Sequence, residues 1–286
     1  MSTTLALLHP GDMGAALGAC LVAQGHRVVW VPTGRSPATR ARAEASGLEA
    51  AASLPQALAA VHVVISVCPP HGALTLAEQV ASHGFRGVYV DANAVAPDTA
   101  RRIGATLGTG GNVHYVDGGI IGPPPQRPGT TRLYLAGAAA SEVAELFGDG
   151  ALDAIVLHGE PGTASALKMC YAAYTKGLTA LLANIRALAN HEGVAADLLA
   201  EWQRSQPEAT SRSQAIESQA RKAWRWHGEM DEIARTFQQA GLPGGFHEAA
   251  AEIYRRLEAF KDIPPPAALA DIEAALLAGP HSGVAS

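Results

Sequence analysis

Short apolar runs alternate with helix-spaced stretches through the first half of the chain, and the alternation stops near residue 160. Strands are expected at Leu5–Leu8, Arg27–Val31, Val61–Val67, Gly87–Asp91, Val113–Val116, Arg132–Ala136 and Ala154–Leu157. Several are almost wholly apolar, the pattern of parallel strands covered on both faces. Helices are expected between them at Met13–Gln24, Pro37–Ala45, Leu74–Ser82, Pro97–Leu107 and Ser141–Phe147. Alternating β and α elements imply a doubly wound, mostly parallel sheet. Beyond residue 160 one long helix is expected from Thr163 to Glu192, which contains Gly177 and no proline. Further helices follow at Ala195–Ser205, Arg212–Ala223, Glu229–Ala240, Phe246–Phe260 and Pro266–Ala278, with a helix stop at Gly241-Leu242-Pro243-Gly244-Gly245. The segment from Gly279 to Ser286 is expected to fray. The organisation is thus an α/β domain over residues 1–160 and an all-α domain over 161–286.

Composition narrows the function classes. Apolar residues make up 48% of the 286, enough for a substantial core, and the net charge of −5 gives no electrostatic case for nucleic acid or an anionic membrane. Cys20, Cys68 and Cys170 are odd in number and in no metal-ligand spacing, which fits a reduced, cytoplasmic protein without a metal site. The apolar run Leu5–Leu8 ends at His9-Pro10-Gly11, too short for a signal peptide or spanning helix.

That same run opens the first chemical motif. Leu5–Leu8 leads through His9-Pro10-Gly11-Asp12-Met13-Gly14 into an apolar helix. A Rossmann turn needs glycine where backbone approaches a pyrophosphate and where helix packs on strand. Gly11 and Gly14 fill the second and third glycine positions, and His9 stands at the first. The strand–turn–helix setting is what the mechanism requires, with free N–H groups and a positive helix end facing the phosphates. Gly11, Asp12, Met13 and Gly14 are therefore candidate cofactor-binding residues.

The second strand bears on which dinucleotide. An NAD-selective site carries an acid about 20 residues on to hold the ribose 2′-hydroxyl. No Asp or Glu occurs between Met13 and Arg42. Thr33, Gly34, Arg35, Ser36, Thr39 and Arg40 stand there instead, with Arg35 able to meet a 2′-phosphate as a charged fork and Ser36 as a hydroxyl donor. The expected cofactor is NADP(H); a solvated basic helix start is the plainer alternative.

With these residues in view, the chain resembles the β-hydroxyacid dehydrogenase family related to 6-phosphogluconate dehydrogenase, in a branch with a poorly characterised C-terminal helical domain. The resemblance runs over nearly the whole length and rests on four segments. Met13-Gly14 matches the family's Met-Gly. Val61–Pro70 is similar to its strand ending in a proline-bearing loop beside the cofactor, which implies cofactor contacts at Val67, Cys68 and Pro69. Asp91-Ala92-Asn93-Ala94 is similar to its Asp-Ala-Ser-Thr stretch near the nicotinamide, with Asn93 at the serine. Asp117-Gly118-Gly119-Ile120-Ile121-Gly122-Pro123 is similar to its Asp-Ala-Pro-Val-Ser-Gly-Gly substrate loop, although Ile121 replaces the serine and Pro123 the second glycine. The last segment, Gly159 to Ala172, is similar to Gly-x-Gly-x-x-x-Lys-x-x-x-Asn at the start of the interdomain helix. Gly162 and Lys168 match it, while Ala164 and Ala172 replace the second glycine and the asparagine.

The resemblance implies that Lys168 is the catalytic general acid/base, that Gly118–Gly122 lies against the substrate, and that the helical domain forms a homodimer. The residues add their own argument. Lys168 interrupts an apolar run, so it snorkels outward or faces a polar cleft. Tyr171, three residues on, shares its helix face and is a candidate partner for substrate; Lys176 reads as a solvated or interface charge. His227, His247 and the paired Trp224 and Trp226 are further residues that reach a cleft or pack. The expected activity is hydride transfer between NADP(H) and a small hydroxy acid or related carbonyl compound. Imine reduction and a non-catalytic NADPH-binding regulator are the alternatives; Lys168 counts against the first, and the missing serine and asparagine leave room for the second.

Overall fold

Eight strands form one sheet in the order β3-β2-β1-β4-β5-β6-β7-β8 in the computed structural model, which describes residues 2–109, 111–261, 263–264 and 266–279. The strands are β1 (Thr4–Leu8), β2 (Arg27–Trp30), β3 (Glu49–Ala50), β4 (Val63–Ser66), β5 (Gly87–Asp91), β6 (Val113–Ile121), β7 (Thr131–Ala136) and β8 (Leu152–Val156). All neighbours are parallel except β6 and β7, which pair antiparallel. The helices of this half are α1 (Asp12–Ala23), α2 (Pro37–Ala45), α3 (Leu54–Ala59), α4 (Ala73–Ser82), α5 (Pro97–Gly108) and α6 (Ala140–Glu145). Every residue of β5 is buried, as a central parallel strand requires. Alternate residues feed two cores. Leu5, Leu7, Ile65 and Val90 pack with Leu17 and Leu21 of α1 on one face; Ala6, Val64 and Tyr89 pack with Leu76 of α4 and Ile103 of α5 on the other.

The chain divides into two compact units, Met1–Met169 and Cys170–Ser286. The division falls inside α7 (Thr163–His191), a helix of 29 residues. The second unit continues with α8 (Ala195–Ser205), α9 (Pro207–Ala223), α10 (Trp226–Gln239), α11 (Gly245–Arg256) and α12 (Leu269–Leu277). Within it, Trp226 meets Tyr254 edge-on at 5.2 Å, and the Tyr254 hydroxyl donates to the Lys176 carbonyl at 2.6 Å. Residues 280–286, where fraying is expected, lie outside the described residues.

Two expectations need correction. Val113–Val116 is the start of a nine-residue strand, so Gly118–Ile121 is strand rather than loop. Its glycines mark close approach, not a turn: a Cβ on Gly118 would lie 3.0 Å from the Asp91 carbonyl, and one on Gly119 would lie 2.7 Å from the Ala164 carbonyl. Short β3 and α3 also exist where no element is expected. Both segments are too short for a periodic signal.

Candidate active site

Register places the chemistry on one rim. Leu8 pairs with Ser66, Ser66 with Asp91, and Asp91 with Asp117, so these four residues form a row across β1, β4, β5 and β6. All four strands point the same way; β1, β4 and β5 end at this row, and β6 runs on to Ile121. The order reverses at β1, with β2 on one side and β4 on the other, which is the switch point where open α/β sheets bind ligands. Three strand spacings separate β1 from β6, about 14 Å.

At the β1 end the three glycine roles are filled unequally. Gly14 is required: a Cβ there would sit 2.5 Å from the His9 carbonyl. Gly11, which caps α1, leaves open space, since an added Cβ meets nothing within 4 Å. A phosphate can therefore approach the first-turn N–H groups. His9 adopts φ +68°, a left-handed conformation natural to glycine and costing other residues about 1–2 kcal/mol. Its Nδ1 is enclosed without a hydrogen-bond partner, and burial, with the Arg35 charge second, pushes the imidazole down to about 4. Met13 and Val67 pack partly buried against the core behind this turn. Asp12 is held by Arg42 of α2 at 3.0 Å.

The turn after β2 gathers the basic residues. Thr33 and Gly34 form a turn closed by Arg35 N–H to the Pro32 carbonyl at 3.2 Å, with Gly34 at φ +73°. Arg35 is half-buried, its Nε enclosed without a partner, and burial lowers its basicity. Ser36 caps α2 by accepting from the Thr39 N–H at 3.2 Å. Arg40 Nε donates to the Arg35 carbonyl at 3.3 Å.

Between these turns and β6 lies a buried polar network. The Asn93 carboxamide donates to Asp91 and to Ser66 Oγ (3.0 Å) and accepts from the Cys68 N–H (2.5 Å). The Asn93 N–H donates to Asp91 Oδ1 at 3.0 Å. Asn93 is only 3% exposed, so its carboxamide joins the ends of β4 and β5 and sets the Cys68-Pro69 backbone. Burial pushes the Cys68 thiol up to about 12, so it stays protonated. Burial likewise pushes Asp91 up to about 7, with the hydrogen bonds from Asn93 opposing and the Asp117 charge adding. The unfolded chain releases that proton near the ordinary value of 3.8, the folded chain only near 7. Folded Asp91 thus binds more proton in this window, and its contribution to stability falls as pH rises through it. His9, with its lowered value, contributes the opposite slope. Asp91→Asn should flatten the Asp91 component. Urea midpoints of variant and parent at pH 4.5 and 7.5 give the difference directly.

Asp117 organises the far end of the rim. It is fully buried and caps the start of α7: Oδ2 accepts from the Gly162 N–H (2.8 Å) and the Ser165 N–H (3.0 Å), and Oδ1 from Ser165 Oγ (2.5 Å). A carboxylate satisfies the free amides and the positive end of the helix dipole. Burial raises its proton affinity, and these donors work against that. One turn on, Lys168 is half-buried, and its Cβ lies 3.1 Å from where a Gly119 Cβ would be. The β5 ladder ends at the Asp91–Asp117 pair, and Gly118 to Ile121 pair with Leu135 to Arg132 of β7. Gly122, at φ +126°, leaves the strand, and a Cβ there would lie 2.3 Å from the Thr130 carbonyl.

Tyr171 belongs to the second unit and is 47% exposed. Lys176 is not a solvated charge. It forms an ion pair with buried Glu229 of α10 and lies 5.3 Å from the Trp226 ring centroid. His247 is buried between Phe237 (4.4 Å) and Phe246 (5.2 Å), and burial lowers its basicity. No group of three or more His, Cys, Asp or Glu residues suited to a metal ion occurs among the described residues. Nor is any helix among them long and apolar enough to cross a membrane.

Residues 189–257 match the family described as a domain of unknown function, DUF1932. An uncharacterized 28.5 kDa protein in the 7S RNA 5′ region of Methanothermus fervidus is 30% identical over 168 residues, 58% of this chain and 63% of that protein. The chain therefore spans a little under two thirds of the curated relative it matches. Among solved structures, a conserved protein of unknown function, described as structurally similar to 3-hydroxyacid dehydrogenases, is 29% identical with a TM-score of 0.66, over 90% of this chain and 98% of that one. The chain has the β-hydroxyacid dehydrogenase-like fold, with a helical C-terminal domain. This dehydrogenase-like fold extends to two more distant structures. Mycobacterium tuberculosis 3-hydroxyisobutyrate dehydrogenase with L-serine is 20% identical, covering 97% and 99% of the two chains with a TM-score of 0.70. An Aspergillus terreus reductive aminase in complex with NADPH and ethyl levulinate is 18% identical, covering 95% and 98% with a TM-score of 0.58.

Sequence reading gives no role to Ser66, to Ser165, to Asp91 and Asp117, or to Tyr115, whose buried hydroxyl donates to Asp91 Oδ2 at 3.5 Å. The visible signal is an acid ending an apolar run, in Val90-Asp91 and Val116-Asp117. An acid there is buried against the next strand or helix, so it needs donors from outside its own segment.

Proposed function

We propose that the chain is an NADP(H)-dependent oxidoreductase acting on a small hydroxy acid or related carbonyl compound, with Lys168 as general acid/base. The observation that carries this reading is the close approach of Lys168 to Gly119, on the rim that also holds the Gly11–Gly14 turn. The open face of Gly11 and the enclosed, unpartnered nitrogens of His9 and Arg35 fit a ligand rich in anionic oxygens. Gly11, Asp12, Met13 and Gly14 hold its pyrophosphate in this reading. Thr33, Gly34, Arg35, Ser36 and Arg40 receive a 2′-phosphate, and Val67, Cys68 and Pro69 border the cleft, positioned by Asn93. When bound, the nicotinamide supplies or accepts a hydride. In reduction Lys168 gives its proton to the carbonyl oxygen; in oxidation it takes the hydroxyl proton. Gly118, Gly119, Ile120, Ile121 and Gly122 form the wall beneath substrate in this reading.

Cofactor choice is tested through Arg35. NADPH should bind ahead of NADH, and Arg35→Ala should narrow the gap by about 10–100-fold, the worth of a charge-assisted hydrogen bond. Calorimetry giving equal affinities for the two cofactors in the parent would overturn the NADP assignment. A panel of hydroxy acids, ketones and ketone–amine pairs, followed by NADPH absorbance, tests the reaction class. Turnover only with added amine would favour imine reduction.

Self-association belongs to the same proposal. Leu167, Tyr171, Tyr174, Leu181 and Leu188 are all exposed on α7, at spacings of three, four and seven residues. Such a stripe fits a helix seam against a second copy of the chain. Light scattering should give twice the 29.5 kDa chain mass, and Leu181→Glu with Leu188→Glu should give the monomer. The setting proposed is the reducing cytoplasm, in keeping with three free cysteines.

A further inference from the structure

We propose that His9 is a phosphate ligand of the dinucleotide and that its imidazole takes up a proton as the dinucleotide binds. This rests on the dinucleotide reading above and adds a linked proton to it. The first reason is position. His9 adopts φ +68° in the turn, and its carbonyl accepts from the N–H of Gly11, whose Cβ position is open. Glycine would hold that conformation without strain, so an imidazole there is carried at a cost. The second reason is the state of its nitrogens. Nδ1 is enclosed and has no hydrogen-bond partner, and the same is true of Arg35 Nε on the neighbouring turn. A neutral imidazole is one donor and one acceptor; the imidazolium is two donors, matched to phosphate oxygens.

The surrounding charges give the direction of the proton shift. Burial, and after it the charge of Arg35 on the β2–α2 turn, holds the imidazole neutral. The Cys68 thiol beyond Arg35 is itself held protonated. Asp12, at the start of α1, is tied to Arg42. Of these groups, the one whose charge acts on His9 is Arg35, and its field is positive. Phosphates placed at Gly11 reverse it, and the proton comes from solvent buffer onto the imidazole. Dinucleotide binding should therefore strengthen as pH falls from 7.5 to 5.5.

The experiment is calorimetry of NADH binding at pH 6 in two buffers of different ionisation enthalpy, with NADPH run in parallel. NADH has no 2′-phosphate to titrate, so its proton uptake reports the protein. The parent should take up protons on binding NADH. His9→Gly should take up none, bind about tenfold more weakly, and melt at a higher temperature because the strain is gone. His9→Asn, which tolerates the left-handed conformation but carries no charge, should match His9→Gly in proton uptake. Binding by the parent without proton uptake, or equal uptake and affinity in His9→Gly, overturns this inference and leaves the dinucleotide reading standing. No binding of either cofactor by the parent overturns both.

Discussion

Lys168→Ala should lower kcat by about 10²–10⁴-fold, the usual worth of a positioned general acid/base, while NADPH affinity stays close to that of the parent. The argument is geometric. Lys168 stands one turn into α7, where Asp117 fixes the helix start through two backbone amides and the Ser165 hydroxyl. Gly119 lets that turn approach β6. The turn proposed to hold the pyrophosphate lies three strands away, so removing the ammonium should leave cofactor binding intact. A single-turnover assay on the substrate found by panel screening, paired with NADPH titration, separates the two effects. Turnover retained by Lys168→Ala removes the general acid/base role. Loss of NADPH binding in step with turnover would make Lys168 a cofactor ligand instead.

Asp117→Ala should destabilise the first unit by about 3 kcal/mol or more. The substitution strands two backbone N–H groups and one hydroxyl in a buried site, each costing about 1–3 kcal/mol. Against a typical total of about 5–15 kcal/mol this is a large fraction. Asp117→Asn keeps one acceptor oxygen and should cost less. Urea denaturation, with midpoints compared at constant slope, measures both. An Asp117→Ala variant as stable as the parent would mean that the start of α7 finds other partners. Because Lys168 follows one turn later, the expected secondary effect of Asp117→Asn is a lower kcat with the folded state retained.

The elements were largely legible in the sequence. Parallel strands buried on both faces need unbroken apolar runs, as in Leu5–Leu8 and Val88–Val90, and these stand out in any register. Ala195–Ser205 and Pro37–Ala45 form the helices expected there, with the same bounds. What failed was glycine. Gly118 and Gly119 read as loop because a glycine pair usually breaks a strand, yet here each serves a close approach by a neighbouring element. Lys176 failed for a related reason: its partner Glu229 lies 53 residues away, and no local pattern announces it. Of the candidate site, the Gly11–Gly14 turn and Lys168 stand out in the sequence because both sit in motifs continuous along the chain. The row Leu8–Ser66–Asp91–Asp117 was not, because it exists only once four strands are in register.

The sequence alone determined the alternation of β and α elements, the long helix beginning at Thr163, the glycine turn with its His9 substitution, and the absence of an acid before Arg42. Each is a local property, fixed by side-chain period or by backbone freedom at single positions. Tertiary structure decided where those pieces meet. It brought Asp117 to the start of α7 and set Gly119 under Lys168. It also left His9 with a buried, unpaired nitrogen beside Arg35. Hydrogen-bond satisfaction and close packing are relations between distant segments, so only the folded chain could settle them.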